Sequence, residues 1–184
     1  DSMQVYRHMD IGSAKIRPEE MCGVPHYLID VLDPSEEFHV VKFVELAHEA
    51  MEKIYAAGQI PIVTGGTGFY IQALLKEVDF TESHGELPIR KQLEEKAATE
   101  EGAAELYREL SEVDPASAET IHPNNVKRVI RALEYYHETG QKISEHNEEQ
   151  KQKESPYCSA YFVLNDERSI LYDRIDRRVD QMIC

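Results

Sequence analysis

Residues 60–76 read IPIVTGGTGFYIQALLK, and the fold class turns on this stretch. Its opening IPIVT is a short apolar run of the kind that forms a buried strand. Thr64-Gly65-Gly66-Thr67-Gly68 follows, and Phe69–Lys76 then reads as a helix. Glycines at such a junction let the backbone turn tightly, and free N–H groups at the helix start meet an anion or a hydroxyl. A plain strand-to-helix turn accounts for the same residues equally well. The pattern is not a GxxxxGK[ST] phosphate loop, which occurs nowhere in the chain.

Working upstream, Val40, Phe43, Ala47, Met51 and Ile54 fall on one face of a predicted helix over 39–57, and Gly58 stands where a C-terminal cap belongs. Residues 26–32, HYLIDVL, read as another short buried strand. Strand, helix, strand and Gly-rich turn into a helix is the βαβ order of a parallel sheet. Downstream, residues 159–164, SAYFVL, predict one more strand. Asn165 or Asp166 then caps a helix with the apolar stripe Leu171, Ile175, Val179 and Met182.

The middle of the chain follows a different pattern. Between about 80 and 140 only helices are predicted. Pro88 fits a first turn, Asp114 followed by Pro115 is a cap and an N1 proline, and Asn124 or Asn125 opens a helix that ends at Gly140. Residues 144–156 are charged and aperiodic, and are expected to be a mobile connection. The expected organisation is thus an α/β core from 1–79 and 144–184, with an all-helical insertion from 80–143.

The chain of 184 residues is 41% hydrophobic, enough for one core domain carrying an insertion. No apolar run approaches the ~20 residues that cross a bilayer, and no charged-then-apolar leader opens the sequence, so a soluble protein is expected. Cys22, Cys158 and Cys184 show no CxxC spacing and read as reduced thiols of a cytosolic protein. A net charge of −15 argues against indiscriminate nucleic-acid binding but leaves room for a local basic face.

Two clusters supply such a face. Lys127, Arg128 and Arg131 lie on one predicted helix, with Lys127 and Arg131 four apart. Arg174 and Arg178 share a face of the last helix, a geometry that suits a pyrophosphate, although Asp173, Asp176 and Asp180 stand ready to pair with them. Asp30 and Asp33 either hold a magnesium ion through water or cap the next turn, and capping is the commoner role. The opening Asp1-Ser2-Met3-Gln4 reads, on its own, as a solvated terminus. The eight histidines show no metal-ligand spacing.

Four blocks taken together say more: residues 1–20 (DSMQVYRHMDIGSAKIRPEE), 24–36 (VPHYLIDVLDPSE), 58–75 (GQIPIVTGGTGFYIQALL) and 121–145 (IHPNNVKRVIRALEYYHETGQKISE). In order and spacing they resemble the tRNA dimethylallyltransferase (tRNA isopentenyltransferase) family over nearly the whole chain. The resemblance implies a P-loop-NTPase-like α/β parallel-sheet core with a helical insertion that grips the tRNA anticodon stem-loop. It implies transfer of a dimethylallyl group from dimethylallyl diphosphate to N6 of the adenine on the 3′ side of the anticodon, assisted by Mg²⁺. The adenine would be flipped from its stack.

Residue by residue, Asp1 matches the family's catalytic base, which takes the N6 proton as the C–N bond forms. Ser2, Met3 and Gln4 match the rest of a tRNA-contacting stretch that includes Asp1, and Thr67 matches the tRNA-touching threonine of the Gly-rich turn. Arg90 and the run Lys127-Arg128-Val129-Ile130-Arg131 match further tRNA contacts. Arg178 matches the arginine that steadies the departing diphosphate. The family's phosphate-loop strand, some thirty residues before the Asp, has no counterpart here, and neither does a C-terminal region, so the chain as it stands is expected to be inactive. A cytoplasmic monomer is expected. The alternatives are an adenylate isopentenyltransferase acting on free nucleotides, a P-loop nucleotide kinase relative and a non-catalytic helical binding module.

Overall fold

The computed structural model describes residues 2–78 and 88–183, which fall into two compact units: Asp1–Val78 with Ser155–Cys184, and Asp79–Glu154. The boundary expected at 144 therefore lies after Glu154.

In the first unit a 3₁₀ turn, Ser2–Val5, precedes a long irregular stretch, α1 (Val40–Ala56) and α2 (Gly68–Lys76), and α8 (Arg168–Ile183) closes it. α1 spans nearly the predicted residues because its apolar stripe has a partner: Ala47 and Met51 are buried with Leu74 of α2, and Phe43 packs against them. Gly58 follows α1 at φ +70°, a left-handed conformation that favours glycine. Tyr157 joins this cluster; its hydroxyl donates to Glu77 Oε1 at 3.3 Å and lies 3.2 Å from His48 Nε2.

The parallel-sheet core is not seen among the described residues, which form an isolated parallel bridge between Tyr6 and Leu32. The predicted strand at 26–32 is interrupted because Leu28 and Asp30 adopt φ of +60° and +54°. Left-handed residues turn an extended chain aside, and they are costly for a branched side chain such as leucine. Residues 60–64 and 159–164 lie outside any ladder, with Ile62 at 87% and Leu164 at 96% exposure. A strand is a non-local element, and an apolar run without a neighbouring strand makes no ladder. The stripe of α8 is likewise uncovered: no residue of that helix is buried.

The second unit is all-helical among its described residues: α3 (Pro88–Lys96), α4 (Glu100–Val113), α5 (Pro115–Thr120), α6 (Val126–Thr139) and α7 (Ile143–Gln152). As expected, Asp114 accepts from Ser117 N–H ahead of Pro115 and Gly140 ends α6 at φ +70°; Asn125 precedes α6 without a side-chain cap bond, and Thr99, which the sequence reading did not single out, accepts from Gly102 N–H. Val129, Ile130, Ala132 and Leu133 of α6 close on Leu93, Leu106, Leu110 and Ala118 to make the core. Leu106, Leu110 and Leu133 are completely buried, each contributing about 1.5–3 kcal/mol of transfer free energy. The segment expected to be a mobile connection is instead α7, whose Ile143 packs on this core and whose Ser144 is hydrogen-bonded to Asp114.

Candidate active site and basic surface

The first unit places Ser2, Gln4 and Thr67, three residues from two distant stretches, on one pocket of about 160 Å³. The Gly-rich turn forms one wall: Gly65 has φ +158°, Tyr70 and Ile71 donate to the Thr67 carbonyl, and Thr67 makes no side-chain cap bond. Aromatic rings form another. Phe43 stacks on Tyr70 with centroids 5.1 Å apart, and Phe38 meets Tyr70 edge-on at 5.8 Å. Burial pushes the Tyr70 phenol up, and the neighbouring Tyr6 adds to this, so the ring presents a neutral hydroxyl. Aromatic faces of this kind suit a flat conjugated ring or a polarised allylic group.

The wall that carries Ser2 and Gln4 is fixed from beneath. Gln4 Nε2 donates to the Ser13 and Ala14 carbonyls at 3.0 and 3.1 Å. Lys15, almost wholly buried, donates to the Tyr6 carbonyl (2.7 Å), Asp10 (2.7 Å) and Asp30 (2.6 Å). Burial alone would lower its pKa, but the two carboxylates outweigh this and raise it. Backbone bonds from Val31 and Leu32 to the Val5 carbonyl complete the tie. Met3 faces a separate hollow lined by residues 8–13. Asp1 lies outside the described residues.

Asp30 and Asp33 are both engaged by cations of this chain. Asp30 is held by the Lys15 ammonium and Asp33 by Arg7 at 3.1 Å, and the described residues contain no group of three potential ligands. On α8 the three neighbouring arginines differ: Arg174 pairs with Asp166 and Arg177 with Asp173, whereas exposed Arg178 has no ion-pair partner among the described residues. Arg178 is not among the residues lining the pocket.

In the second unit Lys127 and Arg128 are exposed in the first turn of α6, without ion-pair partners among the described residues. Cations there oppose the helix dipole, costing about 0.3–1 kcal/mol each, and that turn holds no acidic residue. Such a turn concentrates positive potential. Arg131 pairs with Glu134 at 2.9 Å, and Arg90 reaches Glu94 (3.0 Å) and Glu134 (3.6 Å). Val129 and Ile130 are buried in the core, so the outward chemistry of this run belongs to Lys127, Arg128 and Arg131.

Sequence reasoning missed the aromatic wall and Glu134. Phe43 was legible only as part of the apolar stripe of α1, Phe38 carried no signal, and Glu134 looked like any acidic residue on a helix. An acid at the position where α6 turns to its core, beside Leu133, was the available clue.

Comparison with known proteins bears on both units. Residues 4–184 match the profile of the IPP transferase family. A tRNA dimethylallyltransferase of Lachnoclostridium phytofermentans is 62% identical over 183 residues, covering 100% of this chain and 58% of that protein. One from Geobacillus thermodenitrificans is 50% identical with the same coverage. A solved eukaryotic dimethylallyltransferase acting on tRNA aligns with all of this chain and 45% of its own, at TM-score 0.83 and 38% identity. The full-length tRNA isopentenylpyrophosphate transferase of Bacillus halodurans aligns at TM-score 0.60 and 45% identity, over 100% of this chain and 55% of its own. The chain thus spans somewhat over half the length of the bacterial relatives it matches, and with nearly every residue inside the family profile it belongs to the IPP transferase family.

Proposed function

We propose that the longer protein containing this chain transfers a dimethylallyl group from dimethylallyl diphosphate to N6 of the adenine on the 3′ side of the tRNA anticodon, working as a cytoplasmic monomer. The observation that carries this reading is the convergence of Ser2, Gln4 and Thr67 on one aromatic-walled pocket. Its rings accept a flipped purine or the prenyl chain, and the Thr67 hydroxyl is free of capping duty. The Asp1 carboxylate takes the N6 proton as the C–N bond forms and the C–O bond to diphosphate breaks. Arg178, with no carboxylate to satisfy it among the described residues, steadies the departing diphosphate. Magnesium is assigned no ligand on this chain.

The basic surface of the second unit takes the anticodon stem-loop, with Lys127 and Arg128 on phosphates and Arg90 and Arg131 beside them. Residues 60–64 and 159–164 enter a parallel sheet in the longer protein, which would cover the apolar side chains they now expose.

The test is a pair of titrations on the full-length protein across a salt series, with labelled anticodon stem-loop and with a donor analogue. Lys127→Ala/Arg128→Ala should weaken stem-loop binding and flatten its log–log salt slope by roughly 0.7–0.9 per lost phosphate contact. Arg178→Ala should weaken the donor instead. Loss of donor rather than RNA affinity in the first variant would overturn the assignment and favour an adenylate-prenylating enzyme.

A further inference from the structure

We propose that Glu134 is a positioning residue for RNA recognition: its buried carboxylate holds the guanidiniums of Arg90 and Arg131 in the geometry in which they meet a phosphodiester. This rests on the reading of the second unit as the RNA-gripping part.

Glu134 is 1% exposed, in the middle of α6 beside fully buried Leu133. Burying a carboxylate is costly unless good partners surround it. Its partners are two arginines that themselves stay at the surface, their side chains 49% and 37% exposed. Fastening α3 to α6 does not require this arrangement, because Leu93 and Ile89 of α3 already pack on the core that α6 shares. An apolar side chain at 134 would add to that contact without the desolvation cost.

What a carboxylate does here, and an apolar group does not, is orient. A guanidinium is a rigid planar fork, so holding two of its nitrogens sets the plane and aims the rest. Arg90 donates Nε to Glu94 at 3.0 Å, and its Nη1 forms a longer ion pair with Glu134 at 3.6 Å. Arg131, on the other oxygen of the same carboxylate, is held by Nη1 at 2.9 Å. Among the described residues Glu94 and Glu134 pair with these two arginines. Their contribution is direction, whereas Lys127 and Arg128, without ion-pair partners among the described residues, supply the field. Arg binds phosphate through paired, directional donors, and preorganising them lowers the entropy lost on binding.

The experiment uses the full-length protein and a labelled anticodon stem-loop. Glu134→Gln keeps the shape of the side chain and removes its charge. Stem-loop affinity should fall by roughly five- to thirtyfold, as two side chains lose their fixed geometry. The KM for RNA should rise by the same factor, while the KM for dimethylallyl diphosphate stays put and reports an intact fold. Arg90→Lys/Arg131→Lys keeps both charges at half-exposed positions that do not threaten folding, and should reproduce the loss. In an Arg90→Ala/Arg131→Ala background, adding Glu134→Gln should cost no further RNA affinity.

Tighter RNA binding in Glu134→Gln would mean that the acid only damps the arginines, and would overturn the proposal. So would wild-type affinity in the paired lysine variant, or an additive loss in the triple variant. If Arg90→Ala/Arg131→Ala alone leaves RNA affinity unchanged, the RNA reading of this surface fails as well. If that variant weakens RNA binding and Glu134→Gln does not, only the positioning role fails.

Discussion

Replacing Asp114 with Asn should uncouple the starts of α5 and α7 while leaving the apolar core of their unit in place. The carboxylate is 2% exposed and accepts four hydrogen bonds. Ser117 donates its N–H at 3.1 Å and its hydroxyl at 2.7 Å; Ser144 does so at 3.0 and 2.6 Å. One side chain therefore caps α5 and holds the first turn of α7, thirty residues away in sequence. An amide keeps one acceptor oxygen and turns an NH₂ toward the donors of the other. Bonds to a charged group contribute about 1.5–3 kcal/mol each and are not additive, so the loss should be about 2–4 kcal/mol.

The pH dependence has a definite sign. Burial alone pushes the Asp114 carboxyl up, but the bonds from Ser117 and Ser144 outweigh it and hold the group below its ordinary value. A depressed native pKa stabilises fully above the unfolded value of about 3.9 and ceases to do so as pH falls through the native one. The gap between wild type and Asp114→Asn should be constant near neutrality and shrink below about pH 4. Urea unfolding of the full-length protein across that range measures it, and hydrogen exchange at the Ser117 and Ser144 amides locates it. A loss under about 1 kcal/mol, or a gap indifferent to acid, would refute the reasoning.

Gly102→Ala should destabilise the second unit by about 1–3 kcal/mol in thermal melts, although alanine is the better helix former by about 1 kcal/mol. Its Cβ would stand 1.8 Å from the Lys96 carbonyl oxygen, a backbone atom that cannot swing aside; an unchanged or raised melting temperature would contradict this. Lys15→Met should speed hydrogen exchange at Val31 and Leu32 by releasing the Tyr6 carbonyl, Asp10 and Asp30. Because its native pKa is raised, the wild-type tie should persist below about pH 10.4 and fade as pH climbs through the native value, whereas the variant should show no such alkaline limb.

Local rules made much of the second unit legible. Asp114 with Pro115, and Gly140, act within one turn of themselves, so this cap and this stop follow from the order of residues. α1 and α6 were legible as amphipathic stripes, because helical periodicity is a local property. The site residues of the first unit were named through family resemblance, since no local rule connects Ser2 with Thr67.

Tertiary structure decided the rest, because the deciding contacts join residues far apart in the chain. The charged segment after Gly140 is a helix because Asp114 caps Ser144 and Ile143 finds the core; nothing within the segment announces either partner. Residues 26–32 carry the composition of a strand, yet left-handed Leu28 and Asp30, with Asp30 tied to Lys15, break the run. Segments 60–64 and 159–164 keep their apolar pattern without pairing, since a ladder needs a neighbour that composition cannot supply. Sequence alone shows Arg90, Lys127, Arg128 and Arg131 as cations; only the fold shows that buried Glu134 holds two of them and that Lys127 and Arg128 have no such acid among the described residues. Charge can be counted along a chain, but whether it is spent on a neighbour or turned outward is settled by packing.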